Sequence, residues 1–152
     1  MALDEQDRRI LRRLQRDGRI SNQDLAEATG LSPSSCWRRV KALEEAGIIR
    51  DYVARVDAAK CGLAFHAIVH VRLQRHDPND VEAFTRAVVD RTEVQSCFAT
   101  TGEADYHLDV LCEDQGAYNR FLETVLFRLP GVSSVRTNLV LKPIKAGGAA
   151  PV

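Results

Sequence analysis

Residues 21–46, SNQDLAEATGLSPSSCWRRVKALEEA, read as two capped helices joined by a tight turn. Ser21 followed by Asp24 resembles a capping box: the side-chain oxygen takes an orphan amide, and the acid suits a helix N-terminus. Gly30 comes just after Leu25–Thr29, where a left-handed C-cap costs glycine no Cβ clash. Leu31 then inserts between the helices. Ser32-Pro33 supplies an N-cap and the residue best tolerated at the first helical position. A short helix, a turn and a longer second helix make a helix-turn-helix, and the second helix of such a unit fits a DNA major groove.

On that second helix Cys36, Val40, Leu43 and Gly47 recur at helical spacing and form the packing side. The opposite side holds Ser34, Arg38 and Lys41, with Ser35 and Arg39 flanking. With the cap Ser32, these hydroxyls and cations suit phosphates and base edges. Any surface helix carries Arg and Lys, so the cations alone also fit an ordinary solvated face; the capped turn favours DNA. Arg39 has a second option, an ion pair with Glu27 or Asp24 that holds the unit together. Trp37 lies beside the core stripe and is expected to pack.

Working outward, Asp4 caps a first helix over 4–17, with Ile10, Leu11 and Leu14 on one face. Arg8, Arg9, Arg12, Arg13 and Arg16 cover the rest, with Asp4–Arg8 and Glu5–Arg9 as i,i+4 pairs, and read as a solvated face. IIRDYVARVD (48–57) reads as a strand or wing, and a domain boundary is expected near 57–63. Beyond it the pattern alternates: strand 65–73, helix 78–91, strands 94–102 and 105–114, helix 115–131, strand 132–142. This βαββαβ order is the ferredoxin-like arrangement. The fold class is therefore α+β, with 1–60 as a helical DNA-binding unit, 61–145 as the sheet domain and 146–152 as a flexible tail. Both helices cover one sheet face, and a second copy of the chain is the economical cover for the other.

Composition narrows the function classes. The 152 residues carry 21 Lys/Arg against 21 Asp/Glu, so overall charge gives nucleic-acid binding no support. Residues 1–60 hold 12 basic and 10 acidic side chains, and 61–152 hold 9 and 11, a small asymmetry in the direction DNA binding requires. No apolar run approaches the ~20 residues of a membrane span, and the start has no signal-peptide core, so a cytoplasmic protein with no membrane partner is expected. Cys36, Cys61, Cys97 and Cys112 are widely spaced and read as buried reduced thiols.

The segments LDEQDRRILRRLQRDGRIS, LAEATGLSPSSCWRRVKALEEAGIIRDYVARVD, TTGEADYHLDV and LPGVSSVRTNLVLK resemble the Lrp/AsnC, or feast/famine, transcriptional regulators over about residues 3–143. The resemblance implies an N-terminal winged helix-turn-helix and a C-terminal ferredoxin-like domain that assembles dimers or multiples of dimers and binds an amino acid. Trp37 departs from the family pattern, which more often has leucine there.

TTGEADYHLDV is the candidate effector segment. A turn at Gly102 exposes amides and Thr100 and Thr101 add hydroxyls, which together suit a carboxylate; Asp105 suits an ammonium group. The family's G-x-x-D-Y motif matches Gly102, Asp105 and Tyr106, and Ser133 and Ser134 are possible additional lining. The alternative is a plain hairpin turn with Asp105 as its hydrogen-bonding residue. No cofactor is expected apart from this effector. His66 and His70 share a strand face about 13 Å apart, too far for one ion. His107 and Asp109 reach that face if the first and third strands pair; an interface explains them more simply than a metal site. No phosphate loop, zinc-protease motif or nucleophile elbow is present, so no catalytic residue is assigned. The expected function is sequence-specific binding of double-stranded DNA, controlled by a small effector. Two alternatives stand: a tetrapyrrole-processing enzyme of the same architecture, and an assembly or metabolite-sensing module without DNA binding.

Overall fold

The computed structural model describes residues 2–74, 77–145 and 147–152. It divides into two units, Met1–Arg55 with Ile144–Val152, and Val56–Pro143.

The first unit holds α1 (Glu5–Leu14), α2 (Asn22–Thr29) and α3 (Pro33–Glu45). A reciprocal capping box starts α1: the Asp7 amide donates to the Asp4 carboxylate at 2.8 Å, and the Asp4 amide donates to Asp7 at 3.2 Å. The helix ends before the expected residue 17, where the Arg16 amide turns to the Arg13 carbonyl, three residues back, and leaves the four-residue ladder. The helix-turn-helix forms as its caps dictate. The Asp24 amide donates to Ser21 and the Ser35 amide to Ser32, and Pro33 opens α3. Gly30 takes φ +71°, which lets the Leu31 amide return to the Ala26 carbonyl at 2.9 Å and stop α2.

Ile10, Leu11, Leu25, Ala26, Cys36 and Leu43 form the core of this unit. A fully buried side chain such as Leu43 or Ile10 contributes roughly 1.5–3 kcal/mol through removal from water. Residues 48–57, expected as a strand or wing, contain no strand. A lone extended segment has no ladder to join, and all four described strands belong to the other unit's sheet. The end of the chain also differs from the expected flexible tail. Arg12 donates to the Val152 carbonyl at 3.1 Å and Gln15 to the Ala150 carbonyl at 3.2 Å, so α1 ties these residues down. Ala146, the first residue of that tail, lies outside the described residues.

The second unit contains β1 (Phe65–Leu73), α4 (Pro78–Val89), β2 (Val94–Ala99), β3 (Tyr106–Cys112), α5 (Gln115–Thr124) and β4 (Val132–Leu139). The strand order β2-β3-β1-β4, antiparallel throughout, is the ferredoxin-like arrangement read from the alternation. Strand pleating sends Ala67, Val69, Val71 and Leu73 into a core with Phe84 and Val88 of α4 and Tyr118 and Phe121 of α5. The same pleating turns His66, Ile68, His70 and Arg72 to the face without helices. Helix α5 is shorter than the expected 115–131, and a 3-10 turn at Leu126–Arg128 follows it. Gly131 lets that connection press on α4: a Cβ there would lie 2.6 Å from the Cβ of Asp80.

Candidate functional site

The N-terminal half of α3 presents the candidate nucleic-acid surface. At 100° per residue, Ser34, Arg38 and Lys41 cluster on one side, and all three are exposed. The Ser32 and Ser34 hydroxyls stand 3.3 Å apart. A concavity lined by Asn22, Ser32, Pro33, Ser34, Ser35, Trp37 and Arg38 opens beside them. Asn22 escapes a sequence reading: its amide donates to the Pro33 carbonyl at 2.9 Å and pins the start of α2 to the start of α3. Eleven residues separate that pair, and no spacing rule links them. Arg38 makes no ion pair among the described residues. Lys41 lies 3.8 Å from Glu45, an exposed pair that adds little stability and leaves the ammonium available.

Arg39 has a different job from the DNA contact expected of it. Its guanidinium donates to Asp4 at 2.8 Å and to Asp7 at 2.7 Å, so it pairs with α1 and with neither Glu27 nor Asp24. Asp4 is thereby taken from its expected partner Arg8, whereas Glu5 does pair with Arg9, at 3.7 Å. The Asp7 amide, and then Arg39, hold the Asp4 carboxyl below the ordinary range. Asp4 and then Asp7 raise the Arg39 guanidinium further above its usual value. Geometry explains the choice: Arg39 sits about 100° around α3 from Arg38, toward the side that packs on α1.

Trp37 also departs from expectation. The indole is 57% exposed and does not belong to the side chains packed on the first core. Ile10, Leu11, Leu25 and Leu43 already fill that space. The helical wheel held a signal for this, since Trp37 lies only about 60° from Ser34.

The effector segment splits. Thr101 and Ser134 line an open concavity of about 510 Å³ on the helix-free face of the sheet, with His70, Arg72, Glu103, Ala104, His107 and Arg136. Thr100, Gly102, Asp105, Tyr106 and Ser133 do not line it. Thr100 donates to the Ala104 carbonyl within the turn, Gly102 supplies φ +123°, and Ser133 donates to the Arg72 carbonyl at 3.0 Å. Tyr106 faces the helix side, its ring 4.4 Å from that of Phe84. The Asp105 carboxylate accepts the Leu73 amide at 2.7 Å, where β1 and β4 change register. Asp105→Ala is therefore expected to destabilise this unit by roughly 1.5–3 kcal/mol, the range for a hydrogen bond to a charged group. Thermal denaturation checks this; an unchanged midpoint together with lost effector binding would return Asp105 to the effector's ammonium group.

Pairing of β1 with β3 brings His107 and Asp109 to the face of His66 and His70. His66 meets the Asp109 carboxylate at 2.6 Å, and the His70 and His107 rings meet edge to face at 4.6 Å. Burial, then His107 and Arg136, push the His70 pKa down. Arg136 reaches Glu103 at 3.4 Å. Register explains why a sequence reading passes over these groups: Arg136 lies beside His70, and Ser134 beside Arg72, only once β4 pairs with β1.

Comparison with known proteins agrees with both units. Residues 3–50 match the family model for a winged helix-turn-helix DNA-binding domain, and residues 66–150 match that for the Lrp/AsnC ligand binding domain. The leucine-responsive regulatory proteins of Escherichia coli K12 and Salmonella typhimurium are each 40% identical over 143 residues, which cover 94% of this chain and 87% of theirs. A transcriptional regulator of Neisseria meningitidis, solved as a complex with L-Met, superposes with a TM-score of 0.93 at 39% identity, covering 99% of this chain and 97% of that one. An AsnC family regulator from Agrobacterium tumefaciens gives a TM-score of 0.92 at 32% identity, over 98% and 97% of the two chains. With a DNA-binding helix-turn-helix in one unit and a ligand-binding sheet domain in the other, this chain belongs to the Lrp/AsnC family of transcriptional regulators.

Proposed function

We propose that this regulator binds its operators as a homo-oligomer built from dimers, and that an amino acid alters its DNA affinity or its assembly. The carrying observation is the exposed surface of the Ser32 cap with Ser34, Arg38 and Lys41 of α3, held on a packed three-helix unit, where Lys41 has only an exposed pair with Glu45 and Arg39 is tied to the buried Asp7. A two-fold dimer would present two such helices to half-sites about one helical turn, or a multiple of it, apart. The helix-free sheet face, with its histidines and arginines, is where a second copy would sit. The leucine-responsive relatives and the L-Met complex of the Neisseria regulator support an amino acid as effector. The reading needs no other cofactor and no catalysis.

The test uses the intact protein and duplex from the region upstream of its own gene. Binding is measured by fluorescence anisotropy with and without each of the twenty amino acids, and a thermal-shift screen runs beside it. The expected result is salt-sensitive, sequence-specific binding, with at least one amino acid that raises the melting temperature and changes the operator affinity. Binding no tighter than to random duplex would overturn the regulator reading; no response to any amino acid would overturn the effector. The tetrapyrrole reading finds its histidine and arginine lining in the sheet-face concavity. A change in visible absorbance on adding haem would favour it.

A further inference from the structure

Trp37 is the chain's one tryptophan, and its exposure on α3 needs an explanation, because tryptophan is highly buried on average. It shares a concavity with Ser34 and Arg38, and the Lys41 ammonium stands 5.2 Å from its ring. Helix α3 begins at Pro33, so Trp37 lies in its first two turns, the part of a recognition helix that reaches base edges. The apolar group that bases offer in the major groove is the C5-methyl of thymine. We propose that Trp37 reads thymine: its indole packs on a thymine methyl in each half-site while Arg38 and Lys41 hold polar base edges or phosphate. Charge favours DNA as the occupant. An apolar protein surface laid on Trp37 would also desolvate the two flanking cations without offering them a partner, whereas duplex DNA offers a methyl and anionic oxygens together.

This inference rests on the DNA-binding reading and can fail separately from it. Because there is one tryptophan, its emission reports this position alone. The intact protein is titrated with its operator, and with operators in which deoxyuridine replaces each thymine in turn, which removes only the methyl. The expected result is an emission change on specific binding, and one position per half-site where the replacement weakens binding about fourfold, the value of one buried methyl-sized group. Trp37→Ala should bind the parent operator more weakly and be indifferent to that replacement; Trp37→Phe should recover part of the loss. Tight operator binding with unchanged emission, or an equal deoxyuridine penalty in Trp37→Ala, would overturn the inference and leave the regulator reading standing. So would emission that follows protein concentration without DNA, which would assign Trp37 to contact between copies. Failure to bind any operator would remove both readings.

Discussion

Replacing Arg39 by alanine is expected to lower the stability of the helix-turn-helix unit by roughly 2–3 kcal/mol, because it leaves a buried carboxylate without its cation. Asp7 is the group at risk: its side chain is 5% exposed, and Arg39 reaches it at 2.7 Å. For a unit this small the change amounts to about 10 °C or more in melting temperature. The pH dependence has a definite sign. A carboxylate whose folded pKa is depressed contributes stability above its unfolded pKa and loses it as pH falls through the folded one. Asp4 is such a group, held down first by the Asp7 amide and then by Arg39. The share of the gap between parent and Arg39→Ala that comes from the Asp4–Arg39 pair should therefore be full at neutral pH and shrink below about pH 3.8, the ordinary aspartate value. Circular-dichroism melts from pH 7 to pH 3 measure this. A variant as stable as the parent at pH 7 would show that Arg39 is not a structural tie.

The neighbouring cations should behave in the opposite way. Arg38→Ala with Lys41→Ala is expected to leave the melting temperature within about 2 °C of the parent, since exposed substitutions away from caps and cores shift stability little. Operator binding should fall by at least about 30-fold in a dimer, if each half-site loses one base contact worth roughly 1–3 kcal/mol. The plot of log affinity against log salt should flatten by about 0.9 for each phosphate contact removed. Arg38→Lys separates the two kinds of contact. It keeps the charge and so the salt slope, but lysine lacks the planar fork that grips a guanine edge, so discrimination between operator and random duplex should shrink. Unchanged affinity with an unaltered slope would show that another surface carries the DNA. Set beside Arg39→Ala, this pair tells a reader of DNA from a strut of the fold in adjacent residues.

The line between what could be read in advance and what could not follows the range of the forces involved. The starts at Asp4, Ser21 and Ser32, the stop at Gly30 and the alternation of β1 and β3 are settled within a few residues of chain, through capping bonds, glycine's access to positive φ and the two-residue pleat. Those elements, their order and the helix-turn-helix were therefore open to inspection in the string of residues. Four features were not. Arg39 found its acids on α1, Trp37 was left outside a core that Cys36 and Leu43 of its own helix fill together with side chains of α1 and α2, and residues 48–57 had no strand to pair with. The effector segment was divided, two of its seven residues reaching the sheet-face concavity while Asp105 turned to the Leu73 amide. Each depends on groups distant in sequence that meet only when helices pack or strands take register, and no local spacing records which distant partner arrives first.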